Sequence, residues 1–182
     1  MRLALIVFSV GSVLFACSSK LDKDGFIEWV KNYENGLHIK KTYSEFVFDL
    51  QYAPQPYLSL ISNRPPSVHD SLQYYILRVG LTDDGNFMQH GVSNSIEQQQ
   101  RLYYFSYLFQ NDLTLEENNV RKPCVLFHFE QSTLAKEKVF ILAFENSNTD
   151  APNTKLVIDS PVFGSFPIKM TISKENIPAV KI

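Results

Sequence analysis

The side chains best equipped for chemistry are few: two cysteines, Cys17 and Cys124, and four histidines, His38, His69, His90 and His128. Cys17 closes an apolar run and is followed by Ser18 and Ser19, so its thiol stands where an apolar leader meets a polar chain. Cys124 precedes His128 by four residues, a separation of roughly 13 Å along a strand, which is too far for the two to share one ion. His128 and Glu130 fall on one face of that strand, but two ligands do not complete a site. No histidine opens a His-Glu-x-x-His pair. The expectation is therefore no metal, with Cys124 a buried or otherwise inert thiol. Asp22, Asp24 and Glu28 lack the spacing of a calcium loop and suit a tether followed by a helix cap.

Other chemistries lack their signatures as well. None of the seven glycines lies two residues from another, which excludes the dinucleotide-binding loop. Gly80 and Gly85 have the spacing of a phosphate loop, but Asn86 stands where lysine is required. No Gly-x-Ser-x-Gly occurs. No catalytic residue can be assigned and no cofactor is expected. A net charge of −2, with Lys40-Lys41 and Arg121-Lys122 as isolated pairs, excludes the basic footprint of a nucleic-acid binder. What remains is an aromatic load of 14 Phe, 9 Tyr and 1 Trp. Most of it must be core, although Tyr74, Tyr75 and Tyr104 are candidates to line a surface where sugar or peptide stacks.

The amino terminus is more informative. Met1-Arg2 precedes an apolar run, Leu3 to Ala16, in the layout of a secretory signal. The run falls short of the roughly 20 residues a transmembrane helix needs. Leu14-Phe15-Ala16-Cys17 resembles the lipobox of bacterial lipoproteins in Leu14, Ala16 and Cys17, with Phe15 where that pattern carries a small residue. The resemblance implies cleavage after residue 16, lipidation of Cys17 by a thioether-linked diacylglyceryl group, and an acyl chain on its amine. Two or three such chains would hold the protein on a bilayer almost permanently, at about 0.8 kcal/mol per buried CH₂. Ser18-Ser19 resembles outer-membrane sorting rather than inner-membrane retention. The alternative is a plain secretory signal cut near Ala16, with Cys17 incidental. Removing residues 1–16 takes away Arg2, leaving 16 basic against 19 acidic side chains, a net −3, so charge alone would not hold the chain to anionic lipid.

These residues need elements to position them. Residues 17–24 form a polar tether, and 25–182 read as a single β-rich domain. Asp24 is the expected cap of a helix over 25–34, with Phe26, Trp29, Val30 and Tyr33 at helical spacing and Asn35-Gly36 as the stop. Beyond it the period changes to two. Segments 44–52 and 165–173 alternate as half-buried strands, and Pro167 marks the second as an edge. Segments 71–81 and 138–145 are apolar on both faces and read as central strands; 122–131 and 154–159 add two more. Ser95 to Arg101 predicts a short helix, and the alternation of Tyr103, Phe105, Tyr107, Phe109, Leu113 and Leu115 predicts a long strand over 102–116, with a helix reaching 108 as the other reading. Turn signals separate these segments. The fold class is mainly β: an antiparallel sandwich or partly open barrel of seven to eight strands, with a short N-terminal helix and one short internal helix.

Short blocks carry a second resemblance: Asn35-Gly36-Leu37, Leu50-Gln51-Tyr52-Ala53-Pro54, Cys124 to Glu130 and Asp159 to Gly164 look like blocks of uncharacterised lipoproteins of the Bacteroidota. That group implies an envelope placement and no transferable activity. The expected role is a membrane-anchored, non-enzymatic binding or assembly module that contacts a protein or cell-wall glycan. The rivals are an envelope hydrolase with an unmarked acid/base site and a structural subunit of a secretion or surface complex.

Overall fold

The computed structural model describes residues 20–62, 71–130, 136–146 and 151–181. The apolar N-terminal run, Cys17 and His69 lie outside the described residues, as do the turn segment 63–66 and residues 147–150 of the turn segment 146–152.

Asp22 accepts a hydrogen bond from the Gly25 N–H at 2.9 Å and caps helix α1, Lys23–Lys31. The cap thus falls two residues before the expected Asp24, whose carboxylate instead sits in the first turn, favourable to the helix dipole. Phe26 and Val30, one turn apart, are the buried pair. A 3₁₀ turn, Tyr33–Asn35, follows, and Gly36 ends it at φ 80°, where a residue with a Cβ is strained. The expected helix over 25–34 is therefore an α-helix plus a separate tighter turn.

Among the described residues, nine strands form two antiparallel sheets. The five-stranded sheet contains β1 (His38–Tyr43), β2 (Phe46–Ala53), β3 (Leu72–Leu81), β7 (Lys138–Glu145) and β6 (Leu126–Glu130), in the order β1-β2-β3-β7-β6. The four-stranded sheet is ordered β5-β4-β8-β9, from β4 (Leu113–Glu117), β5 (Val120–Pro123), β8 (Asn153–Ile158) and β9 (Ile168–Ser173). The architecture is an open sandwich, not a closed barrel. β3 is central and β9 is an edge, as their sequence patterns predict. Residues 122–131 hold parts of two strands rather than one, because the chain breaks at Cys124-Val125 and changes sheet. Asn118 and Asn119, at φ 50° and 64°, make the tight turn joining β4 to β5.

Two helices depart from the expectation. Helix α2, Gln55–Ser62, occupies a stretch that Pro54 and Pro56 mark as a turn; proline is tolerated in a first helical turn, where the missing N–H has no partner to lose. The long strand over 102–116 is not formed, and the other reading, helical structure reaching 108, is the one found. Helix α3, Ser95–Tyr103, runs into a π-helical turn, Tyr104–Leu108, and a 3₁₀ turn, Phe109–Asp112, so extended chain begins only at Leu113.

Between the sheets lies an aromatic core. Phe163, from the 3₁₀ turn Pro161–Phe163, has its ring centroid 5.1 Å from that of Phe46 and 4.9 Å from that of Phe48, edge to face. Phe105 and Phe109 enter the same cluster, against Phe140 of β7. The outer face of β2 is covered too, since α1 packs across it. Asp49 and Gln51, which alternation assigns to solvent, are only 9% and 1% exposed.

Candidate interaction face

Helix α3 begins at Asn94, whose side chain accepts from the Ile96 and Glu97 N–H groups, while Glu97 reaches back to accept from the Ser93 N–H at 2.7 Å. This reciprocal cap sets the helix and thereby the direction of its aromatic side chains. Phe105 and Phe109, four apart, point into the core; Tyr103 and Tyr107, also four apart, point out. Tyr103 and Tyr107 are 57% and 65% exposed, with ring centroids 5.3 Å apart. The single face that a strand over 102–116 would give Tyr103, Phe105, Tyr107 and Phe109 is thus overturned: on a helix a step of two residues changes the face. Tyr75 is fully buried, and Tyr104 is half-buried with its hydroxyl bonded to Asp112 and Ser160.

The π-helical turn lies beside β6. Ser106 and Tyr107 face Phe127, His128 and Phe129 across a recess of about 390 Å³. A π-helical turn is a rare local conformation, found frequently at functional sites. β6 is an outer strand of its sheet, and among the described residues no strand pairs with its second edge. The other three edges are protected. β1 carries exposed Lys40 and Lys41, and the Lys41 ammonium donates across to the Lys169 carbonyl of β9. β9 is preceded by Pro167, and β5 is four residues long and ends in Arg121-Lys122-Pro123. β6, by contrast, reads Leu-Phe-His-Phe-Glu, without lysine, arginine or proline. An edge of that composition offers backbone donors and acceptors to another extended chain.

The ionisable residues of the interior are committed elsewhere. Below α1, the Asp49 carboxylate accepts from His38 Nε2 at 2.7 Å and from the Tyr33 hydroxyl at 2.5 Å, with Arg78 at 3.4 Å. Burial works against its charge, but the bonds from His38 and Tyr33 and the charges around it prevail and hold its pKa below the ordinary value of 3.8. His38 Nδ1 lies 2.7 Å from the Lys31 carbonyl at the end of α1. Both ring nitrogens are engaged by oxygen partners, and Tyr33 stacks on the ring with centroids 3.9 Å apart. A His–Asp pair with both nitrogens occupied has none left to accept a proton from a nucleophile.

A second carboxylate, Glu117 of β4, is 3% exposed and is bonded by two ammonium groups, Lys122 and Lys174, the latter at 3.1 Å. Gln73 of β3 donates to it at 3.3 Å, and the Tyr75 hydroxyl bonds both Gln73 and Thr154 of β8. Lys174 also sits over the Tyr52 ring, 5.0 Å from its centroid.

Cys124 is partly buried, its thiol donating to the Leu126 carbonyl; burial pushes its pKa up to about 11, which leaves little thiolate at neutral pH. His128 is exposed at the recess and His90 bonds Glu45 at 3.0 Å. Among the described residues no three His, Cys, Asp or Glu side chains gather as a metal site, and no helix is long and apolar enough to cross a membrane. The α3–β6 face was missed in the sequence because it depends on which aromatics a helix turns outward. Comparison of the chain with protein families, with curated proteins and with solved structures finds no match.

Proposed function

We propose that the chain is a lipid-anchored envelope protein, attached through Cys17, probing a protein partner with its β domain rather than transforming a substrate. The partner's extended segment adds as a strand to the free edge of β6, and its alternate side chains pack on Tyr103 and Tyr107. The observation that carries this reading is the pairing of an edge strand unpaired among the described residues with two outward tyrosines, Tyr103 at the end of α3 and Tyr107 on the π-helical turn. Against the hydrolase alternative stand the His38–Asp49 pair with both imidazole nitrogens occupied and the thiol held protonated. The anchor reading rests on the resemblance of residues 14–17 to a lipobox; placement in the outer membrane rests on Ser18-Ser19.

One experiment in cells tests both halves: a photo-crosslinking residue is placed at position 107 or, as control, at the outward Lys155, with and without Cys17→Ala. A discrete adduct at 107, absent at 155 and lost on Tyr103→Ala, supports the edge-strand site, and equal labelling at both positions refutes it. Cys17→Ala should move the protein to the soluble fraction; continued sedimentation with membranes would refute the anchor.

A further inference from the structure

The opposite face of α3 points to a different site. Arg101 lies two residues, or about 200° of helical turn, from Tyr103. It lines a recess of about 310 Å³ with Gly91, Val92, Glu97, Gln100, Tyr104 and Val162. Its guanidinium is half-buried, and its Nη1 donates to the His90 carbonyl at 2.7 Å. Among the described residues that is its one hydrogen bond, which leaves Nε and Nη2 without an acceptor. Burial pulls its pKa below the ordinary value, while the charge of Glu97 works the other way. Glu97 does not hydrogen-bond it, because both carboxylate oxygens are committed to the cap, one to the Ser93 N–H and one to the Asn94 amide at 3.0 Å. The Tyr104 hydroxyl is likewise engaged, with Asp112 and Ser160. Gly91 stands at φ 65°, and a Cβ there would meet nothing within 4 Å, so this side of the recess is open.

We infer that this recess binds a carboxylate, held by the Arg101 guanidinium with its aliphatic part against Val92 and Val162. The unused Nε and Nη2 donors of Arg101 are not cut off from solvent, and they form a planar fork, held in place by the Nη1 bond, that matches a two-oxygen planar anion. Charge selects among anions: one guanidinium faces one glutamate, so a monocarboxylate is accepted, whereas a phosphate dianion would be repelled by Glu97. The exposed Gln100 amide is the second polar group at the rim. The inference is independent of the β6 edge and of the anchor. The carboxylate comes either from a free short-chain acid or from the terminus of a polypeptide.

The test is amide-resolved NMR of the full chain in mild detergent, titrated with propionate, with N-acetylvaline, with N-acetylvaline amide, and with chloride at matched ionic strength. Saturable shifts at Gly91, Val92, Gln100 and Arg101 are expected with the carboxylates and not with the amide or chloride. Tighter binding of propionate identifies a free acid, and tighter binding of N-acetylvaline a chain terminus. Arg101→Gln should weaken binding about tenfold or more. Gln100→Glu, at an exposed position that leaves Arg101 in place, should weaken it through charge. No saturable shift, shifts equal to those with chloride, or unchanged affinity in both variants would overturn the inference.

Discussion

Asp49 and Glu117 are two carboxylates withdrawn from water into the same sandwich, and they are held differently. The partners of Asp49 come from nearby in the chain, Tyr33 and Arg78 lying 16 and 29 residues away. One face of its cluster remains wet, with Tyr33 exposed and the Arg78 side chain a third accessible. Glu117 gathers partners from β3, β5 and the segment after β9, and the Lys174–Gln73 bond that completes the network spans 101 residues. The first cluster fastens α1 and its 3₁₀ turn to one sheet; the second bolts the two sheets together at one end. Water can replace a lost partner at the first. At the second, Glu117 itself is 3% exposed, and deleting it takes away the carboxylate to which Lys122 and Lys174 both bond.

Substitutions sharpen this contrast. The largest effect is expected for Glu117→Ala, which removes the buried carboxylate that Lys122 and Lys174 share: a loss of about 3–5 kcal/mol in chemical denaturation. A loss below about 1 kcal/mol would show that water reaches the cluster and that the contrast is false. Asp49→Asn keeps the shape but removes the charge that His38 and Arg78 answer, and should cost about 1–3 kcal/mol at neutral pH. The sign of its pH dependence follows from the depressed pKa of Asp49. Its stabilising contribution is fully present above the unfolded value of 3.8 and is lost as pH falls through the lower folded value. The wild-type and Asp49→Asn stability curves should therefore converge below about pH 4; a gap that persists at lower pH would mean the charge is not the cause. Tyr33→Phe removes one bond at the wet edge and should cost only about 0.5–1 kcal/mol, read as a small shift in the denaturation midpoint.

Much of the sandwich was legible from alternation. β2, β3, β7, β8 and β9 each carry an apolar face that only a strand would align, and the sequence places all five within a few residues. β1 escaped because Lys40, Lys41 and Thr42 give it no apolar period; it is recruited by pairing with β2. The false strand over 102–116 has an equally physical origin. Phe105, Phe109 and Leu113 are four apart, a spacing that satisfies a strand face and a helix face alike, and the helix prevailed once Asn94 and Glu97 supplied its cap. Neither α3-flanking site could be read in advance. Tyr103 and Tyr107 matter because a helix turns them outward next to β6, and Arg101 matters because Gly91, Val92 and Val162 line the recess it faces.

By itself the sequence determined the class of fold, through its period-two patterning, and carries the lipobox-like order of residues 14–17, because those signals are local and depend on side-chain order alone. Tertiary structure alone decided which edge strand stays unguarded, which aromatics face outward, and which polar residues lie buried. Asp49 and Gln51 alternate as if for solvent, yet α1 folds back over them, and no local pattern records what will be packed on top of a face.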